Sequence, residues 1–282
     1  MKNKIGIAVI TCDREDFFRQ CIESIPTIDT IVVINDGSSY PSSAYPTKVK
    51  EVIQHSKNKC VGISKNEALR YLIQDGCEHI FLSEDDITIR NPNVCEKYIR
   101  TAEASGIWHL NFGGHGNHNK NPNTGELTVR NTIDYGGTKV DFYYNILGAW
   151  SYYHRGVIKH IGYMDERYIN AMEHVDHTYN IIKAGLHSPY WYFADAHQSY
   201  NDIVDIMADH AGSKIRKNQE EWMKNFQNAC AWFNHKHGFY PTTVPDKSPQ
   251  EVLQALSLEA GKELSSVWAE FYAEGCSTEI LF

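Results

Sequence analysis

The chain has 282 residues, of which 42% are hydrophobic and 22% charged, and its formal net charge is -8. This composition is typical of a globular protein with one sizeable core rather than of a disordered chain. The acidic balance argues against nucleic acid as a main partner, because a duplex-binding surface normally needs an excess of Lys and Arg. The seven cysteines are scattered and never spaced as CxxC, which argues against a zinc site or a disulfide framework.

The apolar stretches are short throughout the sequence. The first of them ends at Thr11 and is followed at once by charged residues, so it is too short for a signal-peptide core or a membrane span. No later stretch approaches a spanning length. Together with the unpaired cysteine pattern, this predicts a protein without a transmembrane segment that resides in the cytoplasm.

Short buried strands and helices alternate in the first ninety residues. The predicted strands are 5–11, 31–34, 49–53 and 79–82. One helix is expected after Asp13, which can cap it, and another from about Ser64 to Gly76. This order is typical of a parallel sheet with helices on both faces, the α/β class.

The second half of the chain changes character twice. Residues 111–137 are rich in Gly, Asn and His and predict a long loop or hairpin. Helices are predicted at 175–184 and 216–237, with a buried strand at 190–193 between them. A last helix is expected from Ser248, and its apolar stripe should pack on the domain or on a second subunit, which would make a homodimer. We therefore divide the chain into a main domain, 1–240, and a C-terminal helical extension, 241–282.

Three consecutive carboxylates, Glu84, Asp85 and Asp86, follow the strand at 79–82. In a parallel α/β sheet this position is the carboxyl edge, where ligands bind. Adjacent carboxylates repel one another unless a cation lies between them, and a hard divalent ion that also bridges a diphosphate is a natural partner. The segment predicts a metal site, with a solvated acidic turn as the alternative.

Two further segments have the chemistry to meet a nucleotide. The strand at 31–34 ends in a tight turn at Asn35-Asp36-Gly37-Ser38, and the carboxylate of Asp36 can accept hydrogen bonds from a base or ribose. Lys65 lies near a predicted helix start, and a helix N-terminus with a lysine favours a diphosphate. Ordinary turn formation and simple capping by Ser64 are the competing explanations.

A cluster of titratable residues precedes the helix at 175–184. It contains Glu173, His174, Asp176 and His177 and follows the segment Gly162-Tyr163-Met164-Asp165-Glu166-Arg167-Tyr168. Such groups can serve as a general base or contact phosphate or metal. Stabilisation of the helix dipole is the simpler alternative.

Taken in order, these segments resemble the inverting glycosyltransferases of family 2. The resemblance begins at Thr11-Cys12-Asp13-Arg14, runs through the segments above and reaches His210-Ala211-Gly212-Ser213, so it covers roughly residues 5–240. It implies a metal-dependent enzyme that uses a nucleotide-sugar, with UDP favoured. It also implies the GT-A fold, with a mixed, mostly parallel sheet, helices on both faces and C-terminal helices.

The resemblance also implies roles for individual residues. Thr11, Asp13 and Asp36 would hold the nucleoside, and Lys65 would approach the diphosphate. Asp86, with Asp85 close by, would ligate Mn2+ or Mg2+, and Glu84 would contact sugar or ribose. The remaining implied site residues are His210, or alternatively His197, at the metal or diphosphate, and Gly148, Ala149 and Trp150 along the sugar and acceptor pocket.

The chain departs from the family at the catalytic base. The family usually has Glu-Asp where this chain has Glu173-His174. We favour Glu173 as the base, because a carboxylate beside a developing oxocarbenium ion also stabilises positive charge, and His174 is the alternative. The base would deprotonate an acceptor hydroxyl that attacks the anomeric carbon, and one displacement would invert its configuration. The segment 113–125 would be either a mobile lid or an ordinary surface loop.

The acceptor and the class of protein have alternatives. Family breadth favours a glycan or glycolipid acceptor, with a protein or a modified DNA base as the alternative. A nucleotidyltransferase would usually carry a Gly-rich basic loop after the first strand, where this chain has Asp13-Arg14-Glu15-Asp16. A non-catalytic nucleotide-sugar-binding module would not need the acidic triplet and Glu173 together.

Overall fold

The computed structural model describes residues 3–184, 186, 192–207 and 216–241. The first nine elements are β1 (Ile5–Thr11), α1 (Glu15–Ser24), β2 (Thr30–Asn35), β3 (Glu51–Gln54), α2 (Val61–Gln74), β4 (His79–Glu84), β5 (Ile87–Ile89), α3 (Val94–Ser105) and β6 (His109–Asn111). They are followed by β7 (Asn131–Tyr135), β8 (Thr138–Tyr143), β9 (Trp150–His154), α4 (Arg155–Ile161), α5 (Glu173–Lys183), β10 (Phe193–Ala196), β11 (Ile203–Asp205) and α6 (Gln219–His237). In the described part of the chain, no helix combines the length and the apolar character that crossing a membrane requires.

A six-stranded sheet forms the centre of the fold, in the order β3-β2-β1-β4-β9-β6. Strands β1 to β4 are mutually parallel, and β9 is antiparallel to both of its neighbours. The predicted α/β class with a mixed, mostly parallel sheet is therefore confirmed. The register aligns Thr11 with Asn35 and Ile10 with Glu84, so the segments after β1, β2 and β4 emerge at one edge.

Two small antiparallel sheets accompany the central sheet. One has the order β10-β8-β7 and the other pairs β11 with β5. The predicted loop or hairpin at 111–137 ends in strand β7, which pairs with β8 in a tight hairpin. Strand β11 leads back to the acidic segment, where the amide of Ile206 donates to the carbonyl of Asp86 at 2.9 Å.

The core forms because the central strands are apolar on both faces. Every residue of β2 is buried, and α1 and α2 pack their apolar faces against the sheet. A second apolar cluster joins α5 to α6, with Tyr179 and Phe233 in ring contact at 5.6 Å. Burying an aromatic side chain such as Phe233, which has no exposed surface, contributes about 1.5–3 kcal/mol. This cluster fixes α6 beside the start of α5.

Several local predictions need correction. Asp13 does not cap α1: the helix begins at Glu15, Arg14 is the N-cap residue, and no side chain caps it. Asp13 has φ +52°, and its amide donates to the Ser38 hydroxyl at 2.6 Å, so tertiary contact determines this turn. Helix α2 begins at Val61, which places Lys65 inside the helix and rules out Ser64 as its cap.

Some predictions fall outside the described residues. The predicted strand at 190–193 is observed as Phe193–Ala196, and residues 190 and 191 are not described. The extension predicted at 241–282, with its helix from Ser248, lies almost wholly outside the described residues, and so does His210.

Candidate active site

The acidic segment after β4 is buried and faces an arginine. Asp85 has no exposed surface, and it accepts a hydrogen bond from the Thr11 hydroxyl at 2.6 Å. The Arg14 guanidinium pairs with Asp85 through Nη2 and with Asp86 Oδ2 through Nη1, at 3.0 Å. Burial and the neighbouring charge of Asp86 raise the pKa of Asp85, even though Arg14 acts in the opposite direction. Arg14 thus holds the carboxylates of Asp85 and Asp86 together.

The acidic segment fits a divalent-ion site whose remaining ligands the substrate would supply. Asp86 Oδ2 contacts Arg14, but Asp86 Oδ1 is buried and has no hydrogen-bond partner among the described residues. Within those residues, no three His, Cys, Asp or Glu side chains are grouped to hold a metal ion. Mg2+ and similar ions are commonly held by one or two carboxylates together with substrate phosphates and water. One unpartnered carboxylate oxygen is consistent with that type of site.

A buried lysine connects the acidic segment to the start of α5. Lys65 is 1% exposed, and its Nζ lies 2.8 Å from Glu84 Oε1, 3.2 Å from the Gly148 carbonyl oxygen and 3.5 Å from Glu173 Oε1. Burial alone would lower the pKa of Lys65, but the charges of Glu84 and Glu173 outweigh it and raise the pKa. Lys65 is therefore a fixed cation between two carboxylates.

Gly148 allows these groups to approach one another. A Cβ atom at this position would lie 2.9 Å from Lys65 Nζ and 3.3 Å from the ring of His174. Any larger residue would push the lysine or the histidine away, so the close packing here depends on glycine.

Glu173 and His174 form a contact at the first turn of α5. Glu173 Oε1 lies 3.1 Å from His174 Nδ1, with Glu173 buried and the His174 side chain 22% exposed. Burial would raise the pKa of Glu173, but the charge and hydrogen bond of His174, together with the charge of Lys65, lower it to about 2. Glu173 is thus a stable carboxylate that orients the imidazole ring.

A second buried carboxylate, Asp36, lies in the turn after β2. Gly37 makes this turn possible, since it has φ +93° and a Cβ there would lie 2.5 Å from the Asn58 amide nitrogen. Asp36 Oδ1 lies 2.7 Å from His55 Nδ1 and accepts a hydrogen bond from the Lys59 amide, also at 2.7 Å. Asp36 Oδ2 has no hydrogen-bond partner among the described residues, so one carboxylate oxygen remains for a ligand.

One cavity of about 480 Å3 joins several of the predicted residues. Its wall includes Glu84, Asp86, Gly148, Ala149, Glu173 and His174. Arg14, His115, Trp222 and Phe226 also line the cavity. Glu84, Asp86 and the Glu173–His174 pair therefore meet in a single space. Behind this lining, Lys65 contacts Glu84 and Glu173, and Asp85 pairs with Arg14.

Other predicted residues lie elsewhere. Thr11 contacts Asp85, and Asp36 belongs to the His55 network rather than to the cavity lining. Trp150 is fully buried in the core, with its ring 5.1 Å from that of Phe81. His197 Nδ1 lies 2.9 Å from Asp141 Oδ1 in the small three-stranded sheet.

Three residues that the structure brings to these sites, Arg14, His55 and His115, have no role predicted from the sequence. Arg14 follows β1, and its proximity to the acidic segment follows from the pairing of β1 with β4. His55 follows β3, and the alignment of Asn35 with Gln54 places it beside Asp36. His115 lies in the loop after β6, with its Nδ1 3.5 Å from Asp205 Oδ1, and its sequence carries no comparable signal.

Comparison by sequence gives no relative: no protein-family model matches the chain, and no curated protein matches it. Comparison by structure gives clear neighbours. The fold is similar to that of a mannosyltransferase from Pyrobaculum calidifontis in complex with GDP-Man and Mn2+, with a TM-score of 0.52 and 13% identity over 97% of this chain and 75% of that one.

A second neighbour is glucosyl-3-phosphoglycerate synthase from Mycobacterium tuberculosis. Its complex with Mn2+, UDP and glucosyl-3-phosphoglycerate gives a TM-score of 0.51 and 11% identity over 87% of this chain and 82% of that one. Its complex with Mg2+ and UDP gives a TM-score of 0.52 and 10% identity over the same shares. At these identities the likeness establishes the fold, which is the GT-A fold predicted from the sequence motifs.

Proposed function

We propose that the chain is a glycosyltransferase that moves a sugar from a nucleotide-sugar, with UDP favoured, to an acceptor hydroxyl. The observation that carries this proposal is the shared cavity: Glu84 and Asp86 of the acidic segment and the Glu173–His174 pair line the same space. Transfer of a glycosyl group needs these two chemistries close together, because negative charge develops on the leaving diphosphate while the acceptor loses a proton.

The structural neighbours support the choice of donor and metal. They are transferases or synthases bound to GDP-Man with Mn2+, or to UDP with Mn2+ or Mg2+. The cavity volume of about 480 Å3 is within the range of small-ligand sites. Asp36, with one free carboxylate oxygen, would accept a hydrogen bond from the nucleobase.

In the proposed mechanism Asp86 would hold Mn2+ or Mg2+ through Oδ1, with Arg14 fixing the carboxylate through Oδ2. The bound ion would supply positive charge beside the leaving diphosphate. The Glu173–His174 pair would take the proton of the acceptor hydroxyl as its oxygen attacks the anomeric carbon. The bond from that carbon to the diphosphate oxygen breaks in the same displacement, which inverts the configuration.

We propose a hydroxyl of a glycan or glycolipid as the acceptor. Trp222 and Phe226 support this choice, because their rings stack at 5.5 Å and both line the cavity. An aromatic face beside the reactive groups gives a sugar ring an apolar surface to pack against. The Arg216 guanidinium lies 4.8 Å from the centroid of the Trp222 ring, and Arg216 also lines the cavity.

A thermal-shift screen tests this function. UDP-glucose, UDP-galactose, UDP-N-acetylglucosamine and GDP-mannose are each added with and without Mn2+. We expect one donor to raise the melting temperature only with Mn2+, since a ligand at 100 times its Kd stabilises by about 2.7 kcal/mol. Slow release of free sugar from that donor should follow. A stabilised protein that never cleaves the donor would indicate a binding module, and no stabilisation by any donor would contradict the proposal.

A further inference from the structure

We propose that His174 takes the proton from the hydroxyl group of the acceptor substrate. Glu173 and Lys65 are then positioning residues that hold the His174 ring. This inference rests on the proposed glycosyl transfer and specifies which member of the Glu173–His174 pair acts. It reverses the preference for Glu173 that the sequence alone suggests.

The two nitrogens of His174 lie in different environments. Nδ1 is 3.1 Å from Glu173 Oε1, while Nε2 has no hydrogen-bond partner among the described residues and is not a buried atom. His174 is on the cavity wall, so Nε2 is the nitrogen available to a bound acceptor. A carboxylate at Nδ1 fixes the tautomer with the proton on that nitrogen, which leaves the Nε2 lone pair free.

Glu173 is poorly suited to take the proton itself. Its side chain is 3% exposed, and Oε1 contacts both His174 and Lys65. Those contacts lower the pKa of Glu173 to about 2, whereas an efficient general base has a pKa near the working pH. Beside Lys65 and His174, Glu173 therefore stays ionised: it holds the imidazole and does not take the proton itself.

The positioning groups extend back to the acidic segment. Glu84 contacts Lys65 at 2.8 Å, Lys65 contacts Glu173 at 3.5 Å, and Glu173 contacts His174. Gly148 keeps this chain of alternating charge compact, because a Cβ atom at this position would meet both the lysine and the imidazole. The arrangement fixes the ring relative to Glu84, which adjoins the carboxylates proposed to hold the metal.

The proton and electron pairs balance without a further reactant. The acceptor O–H proton moves to His174 Nε2, and the oxygen electron pair forms the new bond to the anomeric carbon. The electron pair of the broken carbon–oxygen bond leaves with the diphosphate. The imidazolium then returns its proton to water, and Glu173 keeps its charge throughout.

Chemical rescue tests the assignment. We use donor hydrolysis as the reaction, with water as acceptor and the donor that the thermal screen selects. H174A should hydrolyse the donor roughly 10²–10⁴-fold more slowly with an unchanged donor Kd by calorimetry. Added imidazole should restore part of that rate. The control is H160A, which removes an exposed histidine of α4 outside the cavity lining and should hydrolyse normally.

The E173Q variant separates the two residues. If Glu173 only positions His174, E173Q should lose less rate than H174A, and imidazole should not restore it. The assignment is wrong if E173Q is the inactive variant while H174A remains nearly as active as wild type. It is also wrong if imidazole fails to restore any activity to H174A.

Nitrogen NMR gives a measurement that does not depend on turnover. In the 15N-labelled full chain at a pH of about 8.5, where an ordinary imidazole is neutral, the His174 signal is identified by its loss in H174A. We expect the proton on Nδ1, and a shift toward the Nε2-protonated form in E173Q. A wild-type proton on Nε2 overturns the inference. Failure of metal-dependent donor binding in the thermal-shift screen would instead overturn the proposed function. The NMR measurement needs no donor, so the two failures can be told apart.

Discussion

Helix α2 carries two ion-pair networks that point in different directions. Lys65 contacts Glu84 and Glu173, whereas Glu67 contacts His55 Nε2 at 2.6 Å and Lys59 Nζ at 3.0 Å. The two residues are two positions apart, which is roughly 200° around a helix axis. One helix thus supports the proposed base on one side and the proposed nucleobase contact, Asp36, on the other.

The two networks differ in their exposure to solvent. The side chains of Lys65 and Glu173 are 2% and 3% exposed, but those of Glu67 and Lys59 are 25% and 42% exposed. Water screens the exposed Glu67–Lys59 pair and can replace a lost partner there, whereas the buried Lys65–Glu173 contact has little access to water. We call Lys65 with Glu84 and Glu173 the inner network, and Glu67 with His55 and Lys59 the outer network. Removing Lys65 should therefore destabilise the fold far more than removing Lys59.

The largest effect on stability is expected from K65M. This change leaves Glu84 and Glu173 without their shared cation, and breaking a buried pair in this way typically costs about 3–5 kcal/mol. The measurement is urea denaturation of K65M beside K59M, which removes an exposed lysine and should cost under about 1 kcal/mol. Equal losses in both variants would show that the inner network is no more sensitive than the outer one.

A somewhat smaller effect should appear in the free energy of unfolding at acidic pH. Because the pKa of Glu173 is lowered to about 2 in the fold, its contribution is present above the unfolded value of about 4.3 and is lost as pH falls toward 2. This difference corresponds to about 3 kcal/mol. The free energy of unfolding of wild type minus that of E173Q should fall over this pH range. A constant difference would contradict the proposed ion pairing.

The substitution D36N tests the proposed nucleobase contact, which adjoins His55 of the outer network. A hydrogen bond to a charged group contributes about 1.5–3 kcal/mol, so donor affinity should fall roughly 10- to 100-fold. The rate at saturating donor should change little, because the contact is the same in the ground and transition states. Calorimetry of donor binding and saturation kinetics distinguish these terms, and a large fall in maximal rate at unchanged affinity would oppose this role.

The smallest effect is expected from E67Q. Burial would raise the pKa of Glu67, but its hydrogen bonds to His55 and Lys59 outweigh that and lower the pKa. Its contribution is therefore present at neutral pH and lost on acidification, and at this exposure it should be under about 1 kcal/mol. Thermal unfolding of E67Q at neutral pH measures it. A loss as large as that of K65M would erase the distinction between the two networks.

The sequence predicts the sheet because burial dictates its pattern. Continuous apolar runs such as 5–11 suit only strands covered on both faces, and polar residues directly after them must lie at the carboxyl edge. The edge position of Glu84 and Asp86 follows from this pattern, whereas their meeting with the start of α5 was implied only by the family resemblance. Strand β9, which is antiparallel to β4, begins directly after Gly148 and Ala149, and these two residues line the same cavity.

Side-chain partners were harder to predict, because they depend on tertiary contacts. The start of α2 lacks a capping side chain, so no local signal placed Lys65 inside the helix. Trp150 is indistinguishable by sequence from a pocket residue, yet the neighbouring rings of Phe81 and Tyr98 enclose it. The roles proposed for Thr11 and Asp13 stay predictions, and so do those of Asp36 and Asp86, which D36N above and D86N below address.

The stereochemistry of donor cleavage tests the central claim most directly. Wild-type protein, Mn2+ and UDP-glucose, or the donor that the thermal screen selects, are mixed and followed by proton NMR before the free sugar can equilibrate. A single displacement predicts that the first sugar released has the anomeric configuration opposite to that of the donor, and that D86N releases it roughly 10²–10³-fold more slowly. Release with retained configuration, or cleavage that is unaffected by both Mn2+ removal and D86N, would contradict the account.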